Sequence, residues 1–177
     1  KICYIYSNRL SFGTIRTFEN VAWSFMPHDI SLILYFANAD ISSIDFQGRQ
    51  ISSEDNLDSA HLWVNFKNGI KSHIFASWSN PFKEHKLVII GDKGSLVFED
   101  SALTNKLYFV ETQIKFDSNN GYSTHKEEPQ TINFSKKLPL EAACENFILS
   151  CQENRQPIAS AENGKAVVEI LEKTSFL

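Results

Sequence analysis

The side chain best placed to move a proton is the histidine in "NVAWSFMPHDISLILYFA", residues 20–37. An apolar helical run follows it at once, and Pro27 suits the first turn of that helix because its missing N–H costs nothing there. His28 then stands at a helix N-terminus, where the positive end of the dipole disfavours imidazolium. A histidine kept neutral near pH 7 can serve as a general base. Asp29 is its neighbour in sequence, but adjacent helical residues do not face each other, so Asp29 is expected to serve the helix start. One turn before His28 stands Ser24, not a carboxylate. Asn8, Arg9, Arg16 and Asn20 lie between the first strand and this helix, near enough in sequence to line a pocket that His28 faces. The competing readings are a histidine that caps or packs, and a connection that is merely solvated.

The other histidines carry weaker signals. His61 and His73 fall on one expected hairpin as candidate cross-strand neighbours, but no carboxylate or cysteine has the spacing to complete a metal site. No metal is expected. His85 sits among Lys83, Glu84 and Lys86, an ordinary solvated cluster, and His125 lies in a polar stretch. "GDKGS" has two glycines but belongs to a hairpin and opens no helix, so it is no phosphate loop. G-x-S-x-G and His-Glu-x-x-His are both absent.

These residues must be positioned by a fold that the hydrophobic pattern outlines. Residues 2–6 alternate as a short strand, and "SNRLSFGTIRTFEN" reads as a polar connection. Ile30, Ile33, Leu34 and Ala37 share one helical face. Strands follow: "SSIDFQGRQI", a hairpin over 59–79 turning at Asn68-Gly69 in a type I′ turn, a second hairpin with Gly91-Asp92-Lys93-Gly94 at its tip, and "KLYFVETQIKF". "DSNNGYSTHKEEPQ" shows no periodicity and is expected to be a surface loop. Two helices close the chain, one with Leu140, Cys144, Phe147, Ile148 and Cys151 on a face, the other capped by Ser160 with Ala166, Val167, Ile170 and Leu171 apolar. Runs of strands and then helices predict an α+β domain with a large, mostly antiparallel sheet and helices on one face. Trp63, Phe75, Tyr108 and Val110 are candidates for the other face. That face is either covered by another copy of the protein or simply carries scattered exposed aromatics.

Composition bounds the reading further. The 177 residues, 42% hydrophobic and 21% charged, suffice for one sizeable domain over 1–177, since a chain of this length buries roughly 70% of its unfolded surface. A net charge of −4 with no basic stripe argues against nucleic acid. No apolar run reaches the ~18 residues of a membrane span. Cys3, Cys144 and Cys151 have no redox or metal spacing, which predicts a reducing, cytoplasmic setting, with Cys144 and Cys151 as small apolar packers. The chain opens on "KICYIYSNRL", a strand already in progress, as expected of the C-terminal part of a longer protein.

"YSNRLSFGTIRTFENVAWSFMPHDISLILY" resembles the start of the C-terminal domain of the glucose-fructose oxidoreductase, inositol dehydrogenase and MocA (Gfo/Idh/MocA) family. Within it, the pattern is nearest to the dehydrogenases of UDP-N-acetylhexosamines and their uronates. "ASWSNPFKEHKLVIIGDKGSLVFED" resembles the family's sheet segment, and "LPLEAACENFI" with the stretch to "VVEILE" its closing helices. The resemblance implies an NAD(P)-dependent oxidoreductase acting on a ring hydroxyl of a sugar or UDP-sugar. It places the cofactor mainly on an N-terminal Rossmann domain, absent from this chain, that also supplies a catalytic lysine. The implied role of this domain is to wall the substrate pocket and to build a homodimer or homotetramer through its open sheet face. His28 matches the family's active-site histidine, and Ser24 stands where an Asp is frequent. Asn8, Arg16, Asn20, Trp23 and Ser24 are the implied pocket contacts. A non-catalytic sugar-binding or assembly domain, and an NAD-dependent glycosidase on the same fold, are the alternatives.

Overall fold

The computed structural model describes residues 1–52, 56–135 and 137–174. The described strands are β1 (Ile2–Phe12), β2 (Ile41–Arg49), β3 (Ser59–Phe66), β4 (Lys71–Ser77), β5 (Ser79–Gly91), β6 (Gly94–Glu99), β7 (Leu107–Asp117), β8 (Gly121–Lys126) and β9 (Gln130–Thr131). They form one sheet in the order β2-β3-β4-β1-β5-β6-β7-β8, with β9 also on β7. Only β1 and β4 run parallel. The helices are α1 (Val21–Phe25), α2 (Pro27–Ala37), α3 (Pro139–Gln152) and α4 (Ala161–Glu172). This is the α+β architecture with a mostly antiparallel sheet that the pattern predicts.

Alternation decides which side of the sheet is core. In β3, Ala60, Leu62, Val64 and Phe66 are buried, while His61, Trp63 and Asn65 between them are half-buried. The buried set meets Ile5 of β1, Ile74 and Ala76 of β4, and Val21, Met26, Ile30 and Ile33 of the first two helices in one cluster. Val167, Ile170 and Leu171 of α4 join it. A hydrogen bond from Ser31 Oγ to Asn163 Oδ1 (2.7 Å) ties α2 to α4. Asn38, in the left-handed conformation, ends α2 with its N–H on the Leu34 carbonyl, as a residue that tolerates positive φ should.

Four expectations are corrected. β1 extends to Phe12, so residues 7–12 are strand and not connection; their polar inward side chains are paired, which hides the alternation. The Asn68-Gly69 turn is not type I′. Gly69 alone has positive φ (+90°), and the hairpin closes through Gly69 N–H to Phe66 O and Phe66 N–H to Ile70 O. That is a three-residue loop with glycine at the left-handed bulge position. The segment expected as a surface loop contains β8, which pairs with β7 from Thr112 to Asp117. Asp117 Oδ1 accepts from the N–H groups of Asn119 and Asn120 to make the turn. Because β8 is exposed on both sides apart from Gly121, it has no reason to show a hydrophobic period. Finally, Leu140, Phe147, Ile148 and both Cys144 and Cys151 are exposed on α3, so the two cysteines do not act as core packers here. Among the described residues, no helix is long and apolar enough to cross a membrane.

Asp58 anchors the end of the β3–β4 hairpin. Its carboxylate, fully buried, accepts from the Ile51 and Ser52 N–H groups and the Ser52 hydroxyl (2.7 Å each), and from the indole N–H of buried Trp78. Burial alone would raise its pKa, but these donors hold it below the ordinary carboxylate range. The stability it contributes is present above the unfolded-state pKa and lost as pH falls through the lowered native one. Asp58→Ala orphans several donors at once, and urea unfolding is expected to show a loss of about 3 kcal/mol, since hydrogen bonds to a charged group carry roughly 1.5–3 kcal/mol each.

Candidate functional site

β1 and α2 build the site between them. Side chains of β1 alternate, so Ser7 and Arg9 point toward the helices while Asn8 points away. Arg9 is held by Asp29 in the first turn of α2: Nε donates to Oδ2 (2.7 Å) and Nη2 to Oδ1 (3.1 Å). Ser7 Oγ donates to the same Oδ1 (2.6 Å). Asp29 is thus more than a helix-start charge. It is 1% exposed and clamps the helix to the central strand by a fork-to-fork ion pair.

That clamp aims the residue beside it. His28, the second residue of α2, is exposed and lines a cleft of about 390 Å³. Ser24 and Phe25 of α1 form one wall, and Arg9, Lys83 and His85 another. Arg9 and His85 are paired across β1 and β5. Burial pushes the His85 pKa below the ordinary histidine value, and the charges of Arg9 and Lys83 push the same way, partly opposed by Asp100 and Asp29. Ser24 Oγ is buried without a hydrogen-bond partner. The chemistry on offer is an accessible imidazole, a second imidazole biased toward its neutral form, and two cationic side chains.

Of the residues marked in the sequence, the cleft brings together His28, Ser24 and Arg9. Asn8 lies on the opposite sheet face, its amide donating to Glu84 Oε1 (2.8 Å). Asn20 caps α1, accepting from the Trp23 N–H (3.1 Å), and Trp23 packs against the core. Arg16 pairs with Glu19 and lies over the Phe18 ring at 5.9 Å, in a loop fastened by Asn56 to the carbonyls of Arg16 and Glu19. None of Asn8, Arg16, Asn20 and Trp23 lines the cleft. His85, read from sequence as part of a solvated cluster, does line it. Its spacing from Leu87 and Ile89, both buried on the same face of β5, is the signal that could have placed it. A larger groove of about 510 Å³ runs past Phe98, Ile132, Phe134 and Leu138. Its Lys106 is tied to Asp100, which also lines it, and its Lys137 to Glu145, so its charged side chains are paired with one another or with a neighbour.

Residues 14–97 match the family model of the GFO/IDH/MocA C-terminal domain. No curated protein matches the sequence. Among solved structures, UDP-N-acetylglucosamine 3-dehydrogenase from Acidithiobacillus ferrooxidans is similar at a TM-score of 0.74 and 18% identity, over 97% of this chain and 52% of that one. An NAD-binding protein from Listeria innocua is similar at 0.71 and 15%, over 98% and 54%. An oxidoreductase from Agrobacterium radiobacter, solved with NAD+, L-tartaric acid and magnesium, is similar at 0.67 and 12%, over 97% and 53%. The chain therefore spans about half the length of the structures it matches. The fold is that of a Gfo/Idh/MocA C-terminal domain, and residues 14–97 carry that domain's sequence pattern.

Breaking the clamp leaves a charge buried without its partner, which costs about 3–5 kcal/mol. Arg9→Met is expected to lose that much in urea unfolding. Arg9→Met with Asp29→Leu should lose clearly less than the sum of the two single changes; strict additivity would mean that the pair is not coupled.

Proposed function

We propose that this chain is the substrate-binding and assembly part of an NAD(P)-dependent oxidoreductase that oxidises a ring hydroxyl of a sugar or sugar nucleotide. The observation that carries the reading is the placement of His28: accessible, on the first turn of a helix clamped by Asp29 and Arg9, and facing a cleft large enough for a sugar ring. The similarity in fold to a UDP-N-acetylglucosamine dehydrogenase and to a protein that holds NAD+ supports it.

The glycine-bearing tip does not fit a dinucleotide. "GDKGS" is the tip between β5 and β6. Gly94 has φ +149°, and a Cβ there would stand 2.5 Å from both Phe109 Cζ and the Val110 carbonyl. That glycine serves strand packing, not a phosphate cradle. In this reading the cofactor is held by residues outside this chain, and a nicotinamide, when bound, supplies the hydride acceptor. This chain orients the sugar, and an imidazole nitrogen of His28 takes the hydroxyl proton. Phe25 lines the cleft with an apolar ring, the kind of surface on which the C–H face of a sugar packs.

Assembly is the second part of the proposal. The outer sheet face carries Tyr4 and Tyr6 of β1, Trp63 of β3 and Phe75 of β4, half-buried and in one register, with Val88 of β5 and Val97 of β6 buried beside them. Rings stack across it: His61 on Phe75 at 4.3 Å and Trp63 on His73 at 4.9 Å between centroids. His61 Nδ1 and His73 Nε2 are 3.1 Å apart. Burial keeps both imidazoles below the ordinary histidine pKa, and for His73 the charge of His61 adds to it. A broad apolar face of this kind fits a second copy of the chain. Trp63→Glu is expected to halve the particle mass in sedimentation; an unchanged mass would sink the sheet-face assembly.

The catalytic half is tested with the full-length protein, NAD or NADP, and a panel of sugars and UDP-N-acetylhexosamines, following reduced cofactor. His28→Ala should lower kcat about a hundredfold or more, since general acid–base groups contribute 10²–10⁴-fold. Turnover untouched by the substitution would return His28 to helix capping. Absence of turnover on every sugar would overturn the oxidoreductase reading.

A further inference from the structure

The charges around the His28 cleft are unbalanced. Asp29, the carboxylate nearest His28 in the chain, is fully engaged with Arg9 and Ser7. Asp29 meets Arg9 through Nε and Nη2 only; Nη1 is left over, and Arg9 itself lines the cleft. Lys83, an exposed residue on the same wall, forms no ion pair among the described residues. The acids of neighbouring strands point elsewhere: Glu84 accepts from Asn8 on the outer face, Glu99 pairs with Lys86, and Asp100, which faces His85, is held by Lys106. No carboxylate lines the cleft itself. A guanidinium fixed in orientation by a buried acid, with one edge unspent and an unpaired ammonium beside it, is the arrangement that binds planar or tetrahedral oxyanions well. Holding the guanidinium in advance also lowers the ordering cost of binding.

We propose that Arg9 and Lys83, with His85 beside them on the same wall, form a seat for an anionic group of the substrate, a carboxylate or a phosphate, next to the hydroxyl that His28 serves. This rests on the reading of the cleft as a substrate site but not on the redox chemistry. It makes the substrate an acidic sugar or a phosphorylated one, and it accounts for a cleft rich in donors and poor in acceptors. A neutral polyol would meet those donors only with hydroxyl oxygens, whose hydrogen bonds are weaker than those of an anion.

The seat is tested by binding, without cofactor turnover. The full-length protein, labelled with ¹⁵N-histidine, is titrated with glucuronate, glucose, UDP and inorganic phosphate, and the His28 and His85 imidazole signals are followed. Glucuronate or UDP should bind at least tenfold more tightly than glucose, and Lys83→Ala should weaken the anion by about tenfold and glucose by much less. Lys83 is exposed, so this variant should fold. Arg9→Lys, which keeps a charge on Asp29 but loses the second edge, should weaken the anion as well. Preference for glucuronate identifies a carboxylate; preference for UDP or phosphate identifies a phosphoryl group. Equal binding of glucose and the anions, or anion binding indifferent to Lys83→Ala, overturns the proposal. Anion binding at the cleft without turnover on any sugar would remove the oxidoreductase reading and leave the seat standing. Turnover of a neutral sugar with no anion preference would do the reverse.

Discussion

The buried pair of Asp29 and Arg9 is the constraint on which the site depends. Burying a carboxylate is expensive, and a helix N-terminus offsets only about 0.3–1 kcal/mol of that. The guanidinium fork and the Ser7 hydroxyl supply the rest by filling the carboxylate's acceptor positions. The consequence is geometric. α2 cannot slide or rotate on β1 without breaking a two-point ion pair, so the residue before Asp29 keeps a fixed direction. His28 is therefore aimed by its neighbour without being touched by it. Its imidazole stays accessible while the next residue is bonded to β1 at Arg9 and Ser7.

The same strand serves two faces, and this explains why the sheet is chemically asymmetric. Inward, β1 presents Ile5, Ser7 and Arg9, which seal the core and then open into the cleft. Outward, it presents Tyr4, Tyr6 and Asn8 in line with Trp63, His73 and Phe75. Because β1 is central, with β4 parallel on one side and β5 antiparallel on the other, a change in its register by one residue would exchange the two sets. Register is thus specified twice, by the apolar core and by the ion pair that ties Arg9 to Asp29 of α2.

Much of the fold was legible because most elements bury one side. The α2 face, the β3–β4 and β5–β6 hairpins and the Ser160 cap all announce themselves through period and turn residues, and the structure places them as expected, save that the β3–β4 turn is a three-residue loop and not type I′. What escaped has a common cause. The second half of β1 turns polar on its inward side, since Ser7 and Arg9 are satisfied by Asp29 and not by apolar contact. β8 is exposed on both sides and leaves no pattern. The face of α3 was read correctly as apolar, but periodicity reports only that a face favours cover, not that this chain supplies it; Leu140, Phe147 and Ile148 remain exposed.

The site was half legible for a related reason. His28 and Ser24 were visible because helical spacing puts them one turn apart. The chain neighbours Asn8 and Arg9 could not be told apart by proximity, although strand parity sends one to each face. His85 was masked by its setting: three charged neighbours make a solvated stretch by composition, yet the twofold period of a strand can bury one residue of such a cluster while exposing the next. A charged run inside a strand is therefore two populations. Its inward members, here Lys83 and His85, join whatever the core-facing side encloses, while Glu84 and Lys86 belong to the other surface. The cationic wall of the cleft follows from that parity, with no local motif to mark it, and a search by motif alone would pass over it.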